Sequence, residues 1–358
     1  MQARVNIILL IFGGLVLALA GCKSQVSSCE LSVGEHKTLA EKPALISSAF
    51  TVDLVCKDRS GKVLLNEPAL DLHETDFKLF ENGAPVSPYE SRHSFFNSPQ
   101  RFRYNTLLLL DLSGSVHASD LGVLKAAADS FIRTLIASDP AHHHVALYAF
   151  DGRPQIHQIA DFSNQPDSLT ELLNAIQCPG PYCRDESTNL NGAIINGLGI
   201  LEMTADQHLI PIQVEHLVVF TDGTDRSGFF SDQDVRTMLR QVPDHTYLYT
   251  VGLGAEIDQA ALRAIGRDGA EMAYETSQLM DGFTKIAKRI ERQSKRYYRL
   301  NYCSPRRSGQ HRLRIDVSRQ IEFGGKKLQA SGSFETGFDA SGFQSGCALE
   351  SAERRGEL

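Results

Sequence analysis

At 358 residues, with 42% apolar and 22% charged side chains, the chain has the make-up of an ordinary globular protein and room for one large domain or two smaller ones. Its formal net charge of -7 is spread over both signs without a long basic run, which argues against nucleic acid as a partner. The densest basic cluster, Arg306, Arg307 and Arg312, reads as a solvated hairpin edge.

Arg4 and the apolar run from Val5 to Leu19 have the layout of a secretory signal, short for a membrane-spanning helix. The run closes in Leu19-Ala20-Gly21-Cys22, which resembles a bacterial lipobox. That resemblance implies removal of residues 1–21, acylation of the Cys22 thiol and a lipid anchor in place of a spanning helix. Lys23, where an Asp would signal retention at the inner membrane of enteric bacteria, points to the outer membrane. Six cysteines remain: Cys29, Cys56, Cys178, Cys183, Cys303 and Cys347. An even number in an exported chain suggests disulfides rather than a metal cage, since no pair-of-pairs spacing occurs. Cys178 and Cys183 enclose the turn-prone Pro-Gly-Pro-Tyr and form the first expected bridge. Connectivity among the other four stays open, with Cys29–Cys56 and Cys303–Cys347 as the nearest-neighbour choice.

Residues 22–44 are polar and short of pattern, and read as a tether. A β-rich segment follows over 45–99. Phe50, Val52, Leu54 and Cys56 alternate, Lys57 to Lys62 turn, Phe77 and Leu79 begin another strand, and Asn82-Gly83 is a strong hairpin signal. That segment is too short to bury a core alone. The same texture returns over 296–347, where Tyr298, Leu300 and Tyr302 alternate and Leu313, Ile315 and Val317 do so again. The two ends are expected to join in one sandwich with the middle inserted, leaving 348–358 as a charged tail.

The middle, 100–295, has another rhythm. Thr106 to Leu110 is a strand buried on both faces; Leu121, Leu124, Ala128, Phe131 and Leu135 recur at helical spacing, with Ser119 as cap. Strands follow at 145–150, 217–220 and 247–251, and helices at 169–176, 192–203, 235–239, 260–265 and 279–290. Such alternation predicts an α/β domain, a doubly wound, mostly parallel sheet with helices on both faces.

Three polar segments fall at one edge of that sheet, where open α/β folds bind ligands. The first strand ends in Asp111-Leu112-Ser113-Gly114-Ser115, whose alternation puts the Asp and both Ser on one side. Ser187-Thr188-Asn189-Leu190-Asn191-Gly192 leads into a helix, and Leu217 to Phe220 ends in Thr221-Asp222-Gly223. Carboxylates and hydroxyls are hard ligands suited to Mg²⁺, Mn²⁺ or Ca²⁺. In order, spacing and strand context the three segments resemble the metal-ion-dependent adhesion site (MIDAS) of von Willebrand factor type A domains, over just over half the chain. The resemblance implies a Rossmann-like fold in which Ser113 and Ser115 ligate the ion directly. It further implies that Thr188 would ligate the ion in the ligand-ready state and that Asp111 and Asp222 would act largely through water. On the same resemblance the ion would keep an open position for a carboxylate from a partner protein, and movement of the helix at 279–290 could be coupled to the Thr188 ligand, as in some relatives.

Asp225 and Arg226 either shape the rim of this site or pair locally, and Glu186 either approaches it or is solvated. His142-His143-His144 invites a metal reading, but in a loop after Pro140 it reads as solvated, since strand alternation would split the cluster. No nucleophile elbow, His-Glu-x-x-His or base beside the site is visible, so an enzyme is not expected. Metal-dependent protein binding in the envelope is the leading function. A structural envelope component with a merely stabilising ion and a metal-assisted hydrolase are the alternatives.

Overall fold

The computed structural model describes residues 26–42, 44–87, 94–96, 102–114, 120–204, 212–243, 245–255, 257–345 and 347. The apolar segment at 5–19, Cys22, the tail at 348–358 and the expected cap Ser119 lie outside them. Among the described residues no helix is long and apolar enough to cross a membrane.

The stretch read as a tether is corrected. Val26–Glu41 forms strand β1, which runs antiparallel to β2 (Leu45–Asp58). Cys29, Leu31 and Val33 do alternate, but Ser and Glu on the other face dilute the signal, and a register shift between Glu35 and Lys37 interrupts it. Strands β3 (Val63–Pro68), β4 (Phe77–Glu81), β5 (Ala84–Pro85) and β6 (Ser94–Phe96) complete the N-terminal segment.

The middle domain begins with β7 (Phe102–Asp111), followed by α1 (Leu121–Ser138), β8 (His143–Phe150) and β9 (His157–Ser163). Next come α2 (Pro166–Asn174), α3 (Leu190–Thr204), β10 (Ile212–Thr221) and α4 (Asp232–Leu239). It closes with β11 (Thr246–Leu253), α5 (Gln259–Ile265), β12 (Gly269–Ala273) and α6 (Leu279–Ser294). The sheet order is β12-β11-β10-β7-β8-β9, parallel except for β9 at its edge. Strands β9 and β12 were not read from the sequence; both are edge strands and only partly buried, so neither carries a clean apolar pattern.

Period two explains the layering. Leu108 and Leu110 of β7 face α1, α2 and α6, whereas Leu107 and Leu109 face α3, α4 and α5. Phe283 of α6 sits edge-on to Phe131 of α1 and stacks on Phe220 of β10, locking that helix onto the sheet. Since β7 lies centrally, with β8 on one side and β10 on the other, the chain reverses winding direction between β7 and β10. The carboxyl ends of these two strands form a topological switch point.

The helix α6 leads straight into β13 (Tyr297–Cys303), followed by β14 (Gln310–Phe323) and β15 (Lys326–Asp339). Strand β13 pairs with β2 and β6, while β14 lies between β15 and β4. One core unites the two sheets, with Phe50 packed on Phe77, Tyr298 and Phe334. The N- and C-terminal segments thus share a single β core that neither buries alone. All three nearest-neighbour disulfides are present: Cys29–Cys56, Cys178–Cys183 and Cys303–Cys347. Of the basic cluster, Arg306 departs from expectation, because its guanidinium pairs at 2.6 Å with the buried Glu81 carboxylate. Arg312 remains a solvated edge residue beside Glu335.

Candidate metal centre

Asp111 ends β7 with its side chain completely buried. One carboxylate oxygen accepts the Ser113 backbone N–H at 3.0 Å, and the other accepts the Thr221 hydroxyl at 2.6 Å. These contacts bind the first and third segments to each other. The second joins through Thr188, whose hydroxyl donates to the Ser113 hydroxyl at 3.2 Å. Asp222 follows Thr221 closely enough for its charge to act on Asp111. Burial first, and then the Asp222 carboxylate, push the Asp111 carboxyl up to about 7, against the donors Thr221 and Ser113 that pull it down. Asp111, Ser113, Thr188 and Asp222 are therefore brought together; Ser115 lies outside the described residues.

The donor set fits a hard divalent ion. Two carboxylates repel each other in a buried setting, the remaining ligands are hydroxyls, and a cation would relieve the repulsion. Among the described residues no three His, Cys, Asp or Glu side chains cluster as a metal cage. Above it opens a cleft of about 760 Å³ whose walls include Glu186, Thr188, Asp222, Arg226 and Tyr274. A Cβ on Gly223 would stand 3.1 Å from the Thr188 hydroxyl, a tight contact that only a small shift of Thr188 would relieve.

The Thr188 loop is held on both sides. The Thr188 carbonyl accepts the backbone N–H groups of Arg226 and Ser227, so Arg226 engages the loop through its main chain. Asp225 holds the start of α3 by accepting the Asn191 N–H at 2.9 Å. The Glu186 carbonyl accepts the Gly114 N–H at 3.1 Å, and Glu186, an exposed residue, lines the cleft. The histidine run is split as expected, but it is not solvated as expected: it enters β8 at His143, which is fully buried, and His142 and His144 are half-buried. His142 pairs with Asp139, His143 points into the core, and His144 lies against the His142 carbonyl.

Two contributors went unread. Thr221 orients Asp111. Asp151, at the end of β8, is fully buried and gathers the backbone N–H groups of Arg153, Arg184 and Asp185 together with the Arg153 side chain. Burial pushes the Asp151 carboxyl up, but these donors outweigh it and hold it below the ordinary range. Asp151-Gly152 repeats the strand-end Asp-Gly of Asp222-Gly223, a signal available in the sequence.

The family model for the von Willebrand factor type A domain matches residues 105–289. Inter-alpha-trypsin inhibitor heavy chain H1 of Homo sapiens is 25% identical over 200 residues, 51% of this chain. The chain spans only 20% of that relative's length. Among solved structures, a von Willebrand factor type A protein from Catenulispora acidiphila is 11% identical, with 88% of this chain and 74% of that one covered at a TM-score of 0.43. The ArnB paralog VWA2 from Sulfolobus acidocaldarius is 14% identical, with 86% and 75% covered at a TM-score of 0.41. Proximal thread matrix protein 1 from the mussel byssus, in a structure with a zinc-occupied MIDAS motif, is 14% identical, with 60% and 50% covered at a TM-score of 0.41.

Proposed function

The chain belongs to the von Willebrand factor type A domain family, and on that footing we propose that it is a metal-ion-dependent protein-binding lipoprotein of the bacterial envelope, of adhesion or scaffold type. Asp111, Ser113, Ser115, Thr188 and Asp222 hold the ion, Mg²⁺ or else Mn²⁺ or Ca²⁺. When bound, the ion offers an open coordination position to a carboxylate on the partner. Acylated Cys22 anchors the chain at the outer membrane. The observation that carries the reading is the meeting of three distant segments at the switch point, Asp111 with Thr221 and Ser113 with Thr188. Around this centre the protein supplies a carboxylate-rich floor, a rigid Thr188 loop and an open cleft wide enough for a protein side chain.

Cross-linking in envelope preparations tests this. A partner captured in Mg²⁺, released by chelator and missing with Asp111→Ala supports the proposal. Capture indifferent to chelator and to the substitution contradicts it and favours a structural envelope component whose ion only stabilises. Mass spectrometry of the mature N-terminus tests the anchor: an acylated Cys22 is expected, and an unmodified chain beginning elsewhere would remove it.

A further inference from the structure

Between α2 and α3 the chain runs from Asn174 to Leu190 without helix or strand, and the Thr188 hydroxyl lies almost at its end. A segment of that length positions a ligand poorly unless something orders it beforehand. Three holds do so here. The Cys178–Cys183 disulfide closes the first half into a small ring, in which the Cys183 N–H meets the Gly180 carbonyl. The Pro181 carbonyl of that ring accepts from the Arg153 guanidinium at 3.1 Å, and the same guanidinium grips the Asp151 carboxylate at 2.9 Å. Asp151 then takes the N–H groups of Arg184 and Asp185, the two residues directly after the ring, at 2.9 and 3.2 Å.

The order is passed on. The Asp185 carboxylate accepts both the N–H and the hydroxyl of Ser187, at 2.9 and 2.7 Å. Beyond Thr188, the Asn189 N–H returns to the Asp151 carbonyl and its side-chain amide to the Arg153 carbonyl. Thr188 is clamped on both sides by one strand end. The fit is close, because a Cβ on Gly152 would overlap the Ser187 hydroxyl and the Asp185 carboxylate.

We propose that the Cys178–Cys183 disulfide, acting through Arg153 and Asp151 as positioning residues, sets how tightly the site holds its cation; the inference rests on the metal-site reading above. Breaking the bridge requires a dithiol reductant. Its thiolate attacks one sulfur of the bridge and the Cys178–Cys183 bond breaks into a mixed disulfide. The reagent's second thiol then displaces that sulfur, leaving two cysteine thiols and a cyclic disulfide, with two electrons and two protons passed to the protein. The ring opens, Pro181 no longer holds Arg153 in register, and Thr188 samples positions away from Ser113.

The test is calorimetric Mg²⁺ titration of the full mature chain in detergent. It compares wild type with Cys178→Ser/Cys183→Ser, Arg153→Lys and the remote control Cys29→Ser/Cys56→Ser. Arg153→Lys keeps a cation beside Asp151 but loses the fork that also reaches Pro181. We expect Mg²⁺ to bind about 10–100-fold more weakly without the Cys178–Cys183 bridge, the range typical of groups that orient metal ligands. Arg153→Lys should weaken binding several-fold, and the control should match wild type. The rise in melting temperature between chelator and Mg²⁺ should shrink in the first two variants. Wild-type affinity in both, or an equal loss of stability with and without Mg²⁺, overturns the inference and leaves the metal site standing. Absence of saturable Mg²⁺ binding in wild type overturns the site reading as well.

Discussion

His143 opens β8 with both ring nitrogens buried and, among the described residues, without a hydrogen-bond partner, its ring stacked on Tyr104 at 4.9 Å. Burial, only partly offset by the Asp139 and Glu291 charges, pushes its pKa from the ordinary 6.5 down to about 4. In the unfolded chain the imidazole takes up a proton as pH falls through 6.5, while the folded protein declines it until about 4. Stability is therefore lost as pH drops through that window, at about 1.4 kcal/mol per pH unit. The loss reaches about 2 kcal/mol by about pH 5 and about 3 kcal/mol once both states are protonated. Replacing His143 by Phe keeps the stack on Tyr104 and removes the titration. Urea unfolding of wild type and His143→Phe at about pH 8 and about pH 5, in chelator, should show the variant gaining about 2 kcal/mol on wild type between the two conditions. An unchanged difference would refute the reasoning, since it would mean that the buried ring is protonated no less easily than a solvated one.

Glu215 titrates with the opposite sign. Burial pushes its carboxyl up to about 7 from 4.5, so the folded state carries a costly carboxylate above neutrality and is relieved as pH falls through 7. Glu215→Gln, which still accepts from Asn105, should stabilise the protein by up to about 3 kcal/mol at about pH 8 and by little at about pH 5, read from the same urea curves. Gly332 of β15 lies so close under β1 that a Cβ would overlap the Leu31 carbonyl. Gly332→Ala should cost about 1–3 kcal/mol by thermal unfolding and leave Mg²⁺ affinity unchanged.

The architecture of the middle domain was legible because its strands are buried on both faces and its helices carry continuous apolar stripes. Leu107 to Leu110 alternate between two helical layers, and no other reading of that run is comfortable. Asp111, Ser113, Thr188 and Asp222 were legible for a related reason. A polar turn closing a strand is ordinary taken singly, but two strand ends and one helix-entry loop in this order and spacing resemble the von Willebrand factor type A site, and they converge at one edge of the sheet. What escaped was decided by partners distant in sequence. Strand β1 pairs its weak alternation with β2, and its identity depends on a sheet that residues 26–41 cannot announce. Asp151 looks like any strand-end acid until the loop after Cys183 folds back upon it. Thr221 reads as a strand residue, and only the fold reveals its hydroxyl against Asp111.

The site is most directly tested by calorimetric titration of Mg²⁺ and Mn²⁺ into the chelator-stripped protein, beside Asp111→Ala. One saturable site in wild type, lost in the variant while the variant stays folded, is the predicted result. A folded wild type that takes up neither ion, or a variant that binds as well as wild type, would contradict the assignment of Asp111, Ser113, Ser115, Thr188 and Asp222 as the metal centre.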